Sequence, residues 1–133
     1  GGKYRMTHEL NILIPEHESY YEPFMGSGAL LLNHSRSKLE VLNDLDSDLV
    51  CFMKTLADRE KGAELVECLR HLWYGEEFFK EAKEYKKHNY KGMTDVERAV
   101  QVYVLISQSF NNTRKSFSRI SHSSLAAFFS ASE

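Results

Sequence analysis

Proline is nearly absent: Pro15 and Pro23 are the only two among 133 residues, and they are not adjacent. Any motif built on a Pro-Pro pair is therefore excluded, as are proline-rich linkers. Seven glycines are too few for a fibrous or low-complexity chain. Two cysteines cannot make a disulfide scaffold. Cys51 and Cys68 lie in apolar, helix-like stretches and read as buried free thiols, pointing to a reducing, intracellular compartment. Apolar runs last only a few residues and no basic segment precedes a hydrophobic one. Neither a membrane span nor a signal peptide is expected, and a cytoplasmic protein without membrane partners is. Basic excess is missing too, with 17 Lys and Arg against 19 Asp and Glu. A small, wholly basic nucleic-acid binder would show its phosphate-neutralising surplus in that count, so any DNA contact must be local. His8, His17, His34, His71, His88 and His122 are scattered without ligand spacing, and no metal is expected. What remains, 42% hydrophobic and 27% charged, is an ordinary globular composition of one domain's length.

The pattern along the chain predicts a helix over Tyr4 to Leu13, stopped ahead of Pro15. Ser19-Tyr20-Tyr21-Glu22 is a short aromatic strand that runs into Pro23-Phe24-Met25-Gly26-Ser27-Gly28. The helix-like Ala29-Leu30-Leu31-Leu32-Asn33 follows, then a second strand over Lys38 to Asp44. Leu49, Val50, Phe52, Met53 and Leu56 recur at helical spacing behind a cap at Asp46 or Ser47, and this helix should pack on the sheet. Two further apolar stripes run through Leu65, Val66, Leu69, Leu72 and Trp73, and through Phe78, Phe79, Ala82 and Tyr85. Thr94 and Glu97 fit a capping box before the run from Ala99 to Ile106. Its β-branched residues leave a strand possible, but its length and cap favour a buried helix. After Phe110 the pattern dissolves into polar residues.

Strand, Gly-x-Gly loop and helix is how many α/β proteins approach a nucleotide. Glycine lets backbone come close, and free amides at a helix start favour negative charge. Gly26 and Gly28 alone say little, since glycine pairs serve turns in many folds. Asp44 adds weight: it ends the second strand sixteen residues after Gly28, near the spacing of about 20 at which the acid of a nucleotide-binding βαβ unit reaches ribose hydroxyls. A helix-cap or turn acid is the plainer alternative for Asp44, with Asp46 and Asp48 close by.

The full strings Tyr21 to Ala29 and Leu42 to Leu49 resemble the DNA adenine methylase family, the D12 class of N6-adenine methyltransferases. That family has a Gly-Gly-Lys near its start, then Glu-Pro-Phe-x-Gly-x-Gly, then an Asn- or Ala-Asp-Ile/Leu-Asn/Asp motif. All three pieces occur here in order, as Gly1-Gly2-Lys3, Glu22 to Gly28 and Asn43 to Asp46. The likeness is strong over residues 1 to 50 and looser through Glu97-Arg98-Ala99-Val100 to Ser109-Phe110-Asn111. It implies an α/β fold, with part of a doubly wound, Rossmann-like methyltransferase sheet over residues 1–60 and a helical insertion over 61–110. Residues 111–133 would begin the DNA-recognition region or form a truncated tail. It further implies S-adenosylmethionine as cofactor, with Lys3 by its methionine end and Glu22, Pro23, Phe24, Gly26 and Gly28 lining the pocket. Asp44 would hold the ribose. Independently, S-adenosylmethionine offers a carboxylate to Lys3, hydroxyls to Asp44 and an apolar methylthio region to Phe24. Phe24 could equally be a core aromatic, and Lys3 a frayed terminal lysine.

The family holds a flipped target adenine with an Asp/Asn-Pro-Pro-Tyr/Phe tetrapeptide, which these 133 residues do not contain. No catalytic residue is assigned, and the chain alone should be catalytically silent. The expectation is the cofactor-binding portion of an adenine-N6 DNA methyltransferase, within a restriction-modification or methylation-marking system. Its opening Gly1-Gly2-Lys3 is either native or the remnant of a tag. Double-stranded DNA would be contacted by Asn111, Asn112, Arg114, Lys115 and Arg119, where cations, amides and the aromatic Phe110 and Phe117 mingle; a plain polar loop is the alternative. Lys83, Lys86, Lys87 and Lys91 read instead as a solvated helix face paired to Glu77, Glu81 and Glu84. An open sheet edge would invite a homodimer. The rival is a catalytically inactive relative serving as a binding or assembly module. A phosphate-binding protein of another class would want a Gly-Lys-Ser/Thr loop, which is missing.

Overall fold

A computed structural model describes residues 3–110 and 113–118, with side chains from residue 5 onward. A 3-10 turn over Lys3–Met6 leads into α1, Thr7–Leu13, so the first helix starts tighter than its pattern implies. Its end at Ile14, in extended conformation, is what the following proline demands. Strand β1, Ser19–Glu22, is followed by the short helix α2, Ala29–Leu32, and strand β2, Leu39–Leu42. The strands pair in parallel, Ser19 opposite Leu39 and Glu22 opposite Leu42. Parallel pairing is what a helical crossover produces.

Four longer helices follow: α3, Ser47–Ala57; α4, Arg59–Arg70; α5, Glu76–Lys87; and α6, Asp95–Ser107. Asp46 and Asp58 cap α3 and α4 through side-chain oxygens that accept the second and third amides. Thr94 and Glu97 close the expected capping box on α6, so Val100 to Ile106 lie in a helix and not a strand. Helix α6 is the centre of the helical part. It packs against α3, α4 and α5, and α3 also packs against α4. One face of α6 gives Val96 and Ala99 to a core shared with Leu65, bordered by Phe52 and Leu69. The other gives Val104 and Leu105 to a core with Phe79 and Ala82, bordered by Leu72 and Phe117. Buried Gln108 is satisfied across this second core: its amide donates to Trp73 O at 2.8 Å and its carbonyl accepts from the Gly75 amide at 3.2 Å.

The packing of α3 and the burial of the cysteines depart from expectation. Helix α3 turns its apolar side to α4 and α6, and not to the sheet, because Phe52 finds the Leu65–Val96–Ala99 core there. The fold is mixed α/β, and among the described residues its sheet is one parallel pair of strands. Cys68 is exposed and Cys51 half-buried, both as free thiols; the stripe Leu65–Leu69–Leu72 passes beside Cys68, leaving it on the flank. No helix among the described residues is long and apolar enough to cross a membrane.

Candidate functional site

Parallel pairing does not stop where the strands do. The Asn43 amide donates to Glu22 O and the Met25 amide to Asn43 O, both at 2.9 Å, carrying the chain past the C-terminal ends of β1 and β2 into one shared turn. Met25 is buried there and anchors the loop. Gly26 and Gly28 both take left-handed backbone, at φ 53° and 67°, which side chains other than glycine rarely adopt. A Cβ on Gly28 would meet Met53 Cε at 3.0 Å, whereas one on Gly26 would meet nothing within 4 Å. Gly28 is thus required by its left-handed backbone, with Met53 Cε close beside it, and Gly26 faces open space. Gly28 is also the N-cap of α2.

Asp44 closes this turn from the other strand. Its Oδ2 accepts the Gly26 amide at 2.8 Å and its Oδ1 the Asp46 amide at 2.9 Å. Those two bonds, the Asp46 amide first and then Gly26, hold its carboxyl below the usual carboxylate range, with Arg114 contributing through its charge. Phe24 is 69% exposed beside the loop, so the core-aromatic alternative for it falls away. Glu22 is buried and accepts the Tyr20 hydroxyl at 3.0 Å. Burial first, then the hydrogen bond and charge of Glu22, push that hydroxyl up to about 12. Glu22, Pro23, Phe24, Gly26, Gly28 and Asp44 are therefore brought together at one end of the strand pair. Only the backbone of Lys3 is described, as the start of the first turn, so its side chain lies outside this account.

Directly after Asp44 comes a second polar cluster that motif spacing does not reveal. Asp48 is buried. Its Oδ2 accepts Lys86 Nζ at 2.9 Å and the Tyr90 hydroxyl at 3.1 Å, and its Oδ1 accepts Arg98 Nη2 at 2.9 Å. Arg98 also lies over the Tyr90 ring, 5.0 Å from its centroid. Arg114 adds Nη2 to Asp46 Oδ2 at 2.7 Å and approaches Asp48 Oδ2 at 3.7 Å with Nη1. Lys86 lies on an exposed helix face, as expected, but its partner is Asp48 and not a glutamate; Lys87 pairs with Glu84 at 3.2 Å. One signal was available: Lys86 has no acid three or four residues away on its own helix.

Of the residues expected to touch DNA, Asn111, Asn112 and Arg119 lie outside the described residues. Lys115 is exposed. Arg114 is turned inward onto Asp46, its side chain 16% exposed. Phe117 packs against Tyr74 and Phe79, ring centroids 5.3 and 6.0 Å away, so its face is not offered to bases.

The model of the D12 class N6 adenine-specific DNA methyltransferase family matches residues 1–125. The chain belongs to this family. Among curated relatives it is similar to the type II methyltransferase M1.LlaDCHI of Lactococcus lactis subsp. cremoris, 27% identical over 115 residues, which is 84% of the chain and 39% of that protein. It is also similar to the DNA N-6-adenine-methyltransferase of Escherichia phage P1, 38% identical over 56 residues, 42% of the chain and 7% of that protein. The chain thus spans well under half the length of either relative.

Proposed function

We propose that this chain is the S-adenosylmethionine-binding portion of an adenine-N6 DNA methyltransferase. The observation that carries the reading is the bond between the Asp44 carboxylate and the Gly26 amide. It unites acid and glycine loop beyond the C-terminal ends of parallel strands, where open α/β sheets receive ligands. The residues fit the cofactor. Gly26 leaves its missing Cβ position open, and Phe24 presents an exposed ring. A carboxylate offers about four lone-pair sites; backbone amides of Gly26, Asp46 and Leu45 engage Asp44, so the carboxylate keeps acceptor capacity for a ribose hydroxyl. Glu22, Pro23 and Gly28 shape the loop, and Lys3 would meet the methionine carboxylate. Bound, the cofactor supplies the methyl group. Double-stranded DNA containing an adenine target is the partner of the whole enzyme, with Lys115 exposed to meet it and Asn111, Asn112 and Arg119 assigned beside it.

The test is calorimetric titration of the chain with S-adenosylmethionine, in parallel with Asp44→Ala. Binding by the parent that the variant loses supports the reading; a parent that does not bind overturns it. One observation favours a second reading, a binding or assembly module. The face of the sheet carrying Tyr21, Leu39 and Val41 is exposed, at 62%, 48% and 41%, and apolar surface of that kind associates. Sedimentation would then show a dimer that Val41→Lys dissociates.

A further inference from the structure

Among the described residues between Ser109 and Phe117, Arg114 turns its side chain inward. Ser109 and Phe117 form an antiparallel bridge, and the Phe110 amide donates to Ser116 O at 2.9 Å. At its turn Arg114 holds φ 59°, a left-handed conformation uncommon outside glycine, and its amide is pinned by Ser109 Oγ at 2.9 Å. Strained backbone persists where the surrounding structure over-determines it. What the strain achieves is to aim the guanidinium at Asp46.

Asp46 is one step from the glycine loop. Its Oδ1 caps α3 by accepting the amides of Asp48 and Leu49, its Oδ2 meets Arg114, and its own amide holds Asp44. Asp44 in turn holds Gly26. Three carboxylates, Asp44, Asp46 and Asp48, crowd the start of α3. Lys86 and Arg98 both serve Asp48, whereas Arg114 is the cation paired with Asp46 among the described residues. Removing it would leave like charges to push the turn apart.

We propose that Arg114 is a positioning residue of the cofactor site. It ties the Ser109–Phe117 loop to Asp46 and so keeps Asp44 and Gly26 in register for the ligand. The inference rests on the cofactor reading of Asp44, and it replaces direct DNA contact as the role of Arg114. Because Asn111, Asn112 and Lys115 flank it in sequence, whatever engages that loop would act on the cofactor turn, and the cofactor would act reciprocally on the loop.

The test titrates the chain and its Arg114→Gln and Arg114→Lys variants with S-adenosylmethionine by calorimetry, and follows the Gly26 amide by nitrogen–proton NMR and hydrogen exchange. Arg114→Gln should weaken binding about tenfold, and Arg114→Lys, keeping charge but not the fork, about threefold. The Gly26 amide should lose protection in Arg114→Gln while the amides of α5 and α6 keep theirs. Parent affinity and unchanged Gly26 protection in Arg114→Gln would overturn the proposal. If that variant does not fold, Arg114→Lys decides on the same two readouts. A parent that binds no cofactor would sink the cofactor reading instead, and Gly26 protection would still decide whether Arg114 governs the turn.

Discussion

Asp48→Asn tests the energetics of the buried cluster most directly. The carboxylate is 7% exposed and takes hydrogen bonds from three donors. Lys86 is 44% exposed, so water compensates it and its share is at most about 1 kcal/mol. Arg98 is 28% exposed and Tyr90 is buried; hydrogen bonds of such groups to a charged partner contribute roughly 1.5–3 kcal/mol each. The asparagine keeps one acceptor but places an amide N–H against cations. A net loss of about 3 kcal/mol follows, at the low end of the roughly 3–5 kcal/mol seen on breaking a buried pair. For a domain of this size that lowers Tm by on the order of 10 °C. Urea and thermal unfolding followed by circular dichroism measure it. Acid supplies a second readout. Burial pushes the Asp48 carboxyl up, but the bonds from Lys86 and Arg98 outweigh it and hold the group below its ordinary value. A depressed native value means the stabilisation is complete above the unfolded value, about pH 4, and is lost as pH falls through the native one. The gap between parent and Asp48→Asn should therefore narrow below about pH 4. A loss under about 1 kcal/mol at pH 7, the size of a surface pair, would refute the assignment of Asp48 as the anchor of this cluster.

Two further substitutions separate loop from core. Gly28→Ala, at φ 67° with Met53 Cε 3.0 Å from the new Cβ, should cost about 1–2 kcal/mol, read as a lower urea midpoint with unchanged slope. Leu105→Ala removes a fully buried side chain from the Phe79–Val104 core and should cost about 2–5 kcal/mol in the same assay, without altering cofactor affinity beyond the loss of folded protein.

Local chemistry wrote the front of this molecule plainly. β1 runs over the expected Ser19–Glu22, and the capping box on α6 is where Thr94 and Glu97 put it, because strand alternation, glycine turns and caps are decided within a few residues. Asp44 was legible as an acid at a telling distance from Gly28, though not as the acceptor of the Gly26 amide. Asp48 escaped notice because its partners Lys86, Tyr90 and Arg98 lie 38, 42 and 50 residues away, and no periodicity records a contact of that range. The inward turn of Arg114 is hidden for a related reason: basic residues in a polar loop resemble a phosphate-binding patch, and the left-handed backbone at that residue is a property of the fold.

The distribution of apolar burial explains why that polar cluster matters to the candidate site. The two hydrophobic cores lie among α3, α4, α5 and α6, while the strand pair contributes few buried side chains, chiefly Tyr20 and Glu22, with Met25 just beyond it. A two-stranded sheet is marginal by itself in water, so the glycine loop borrows order from elsewhere. Helix α3 is the conduit: its middle is set in the helical core by Phe52, and its N-cap Asp46 and first-turn Asp48 lie two and four residues after Asp44. Arg98 and Lys86 fix that turn to α6 and α5, and Arg114 fixes it to the loop after α6. Hydrogen bonds and ion pairs are directional where apolar packing is not, so a helical core joined through them can hold a carboxylate to the tolerance a ligand site needs.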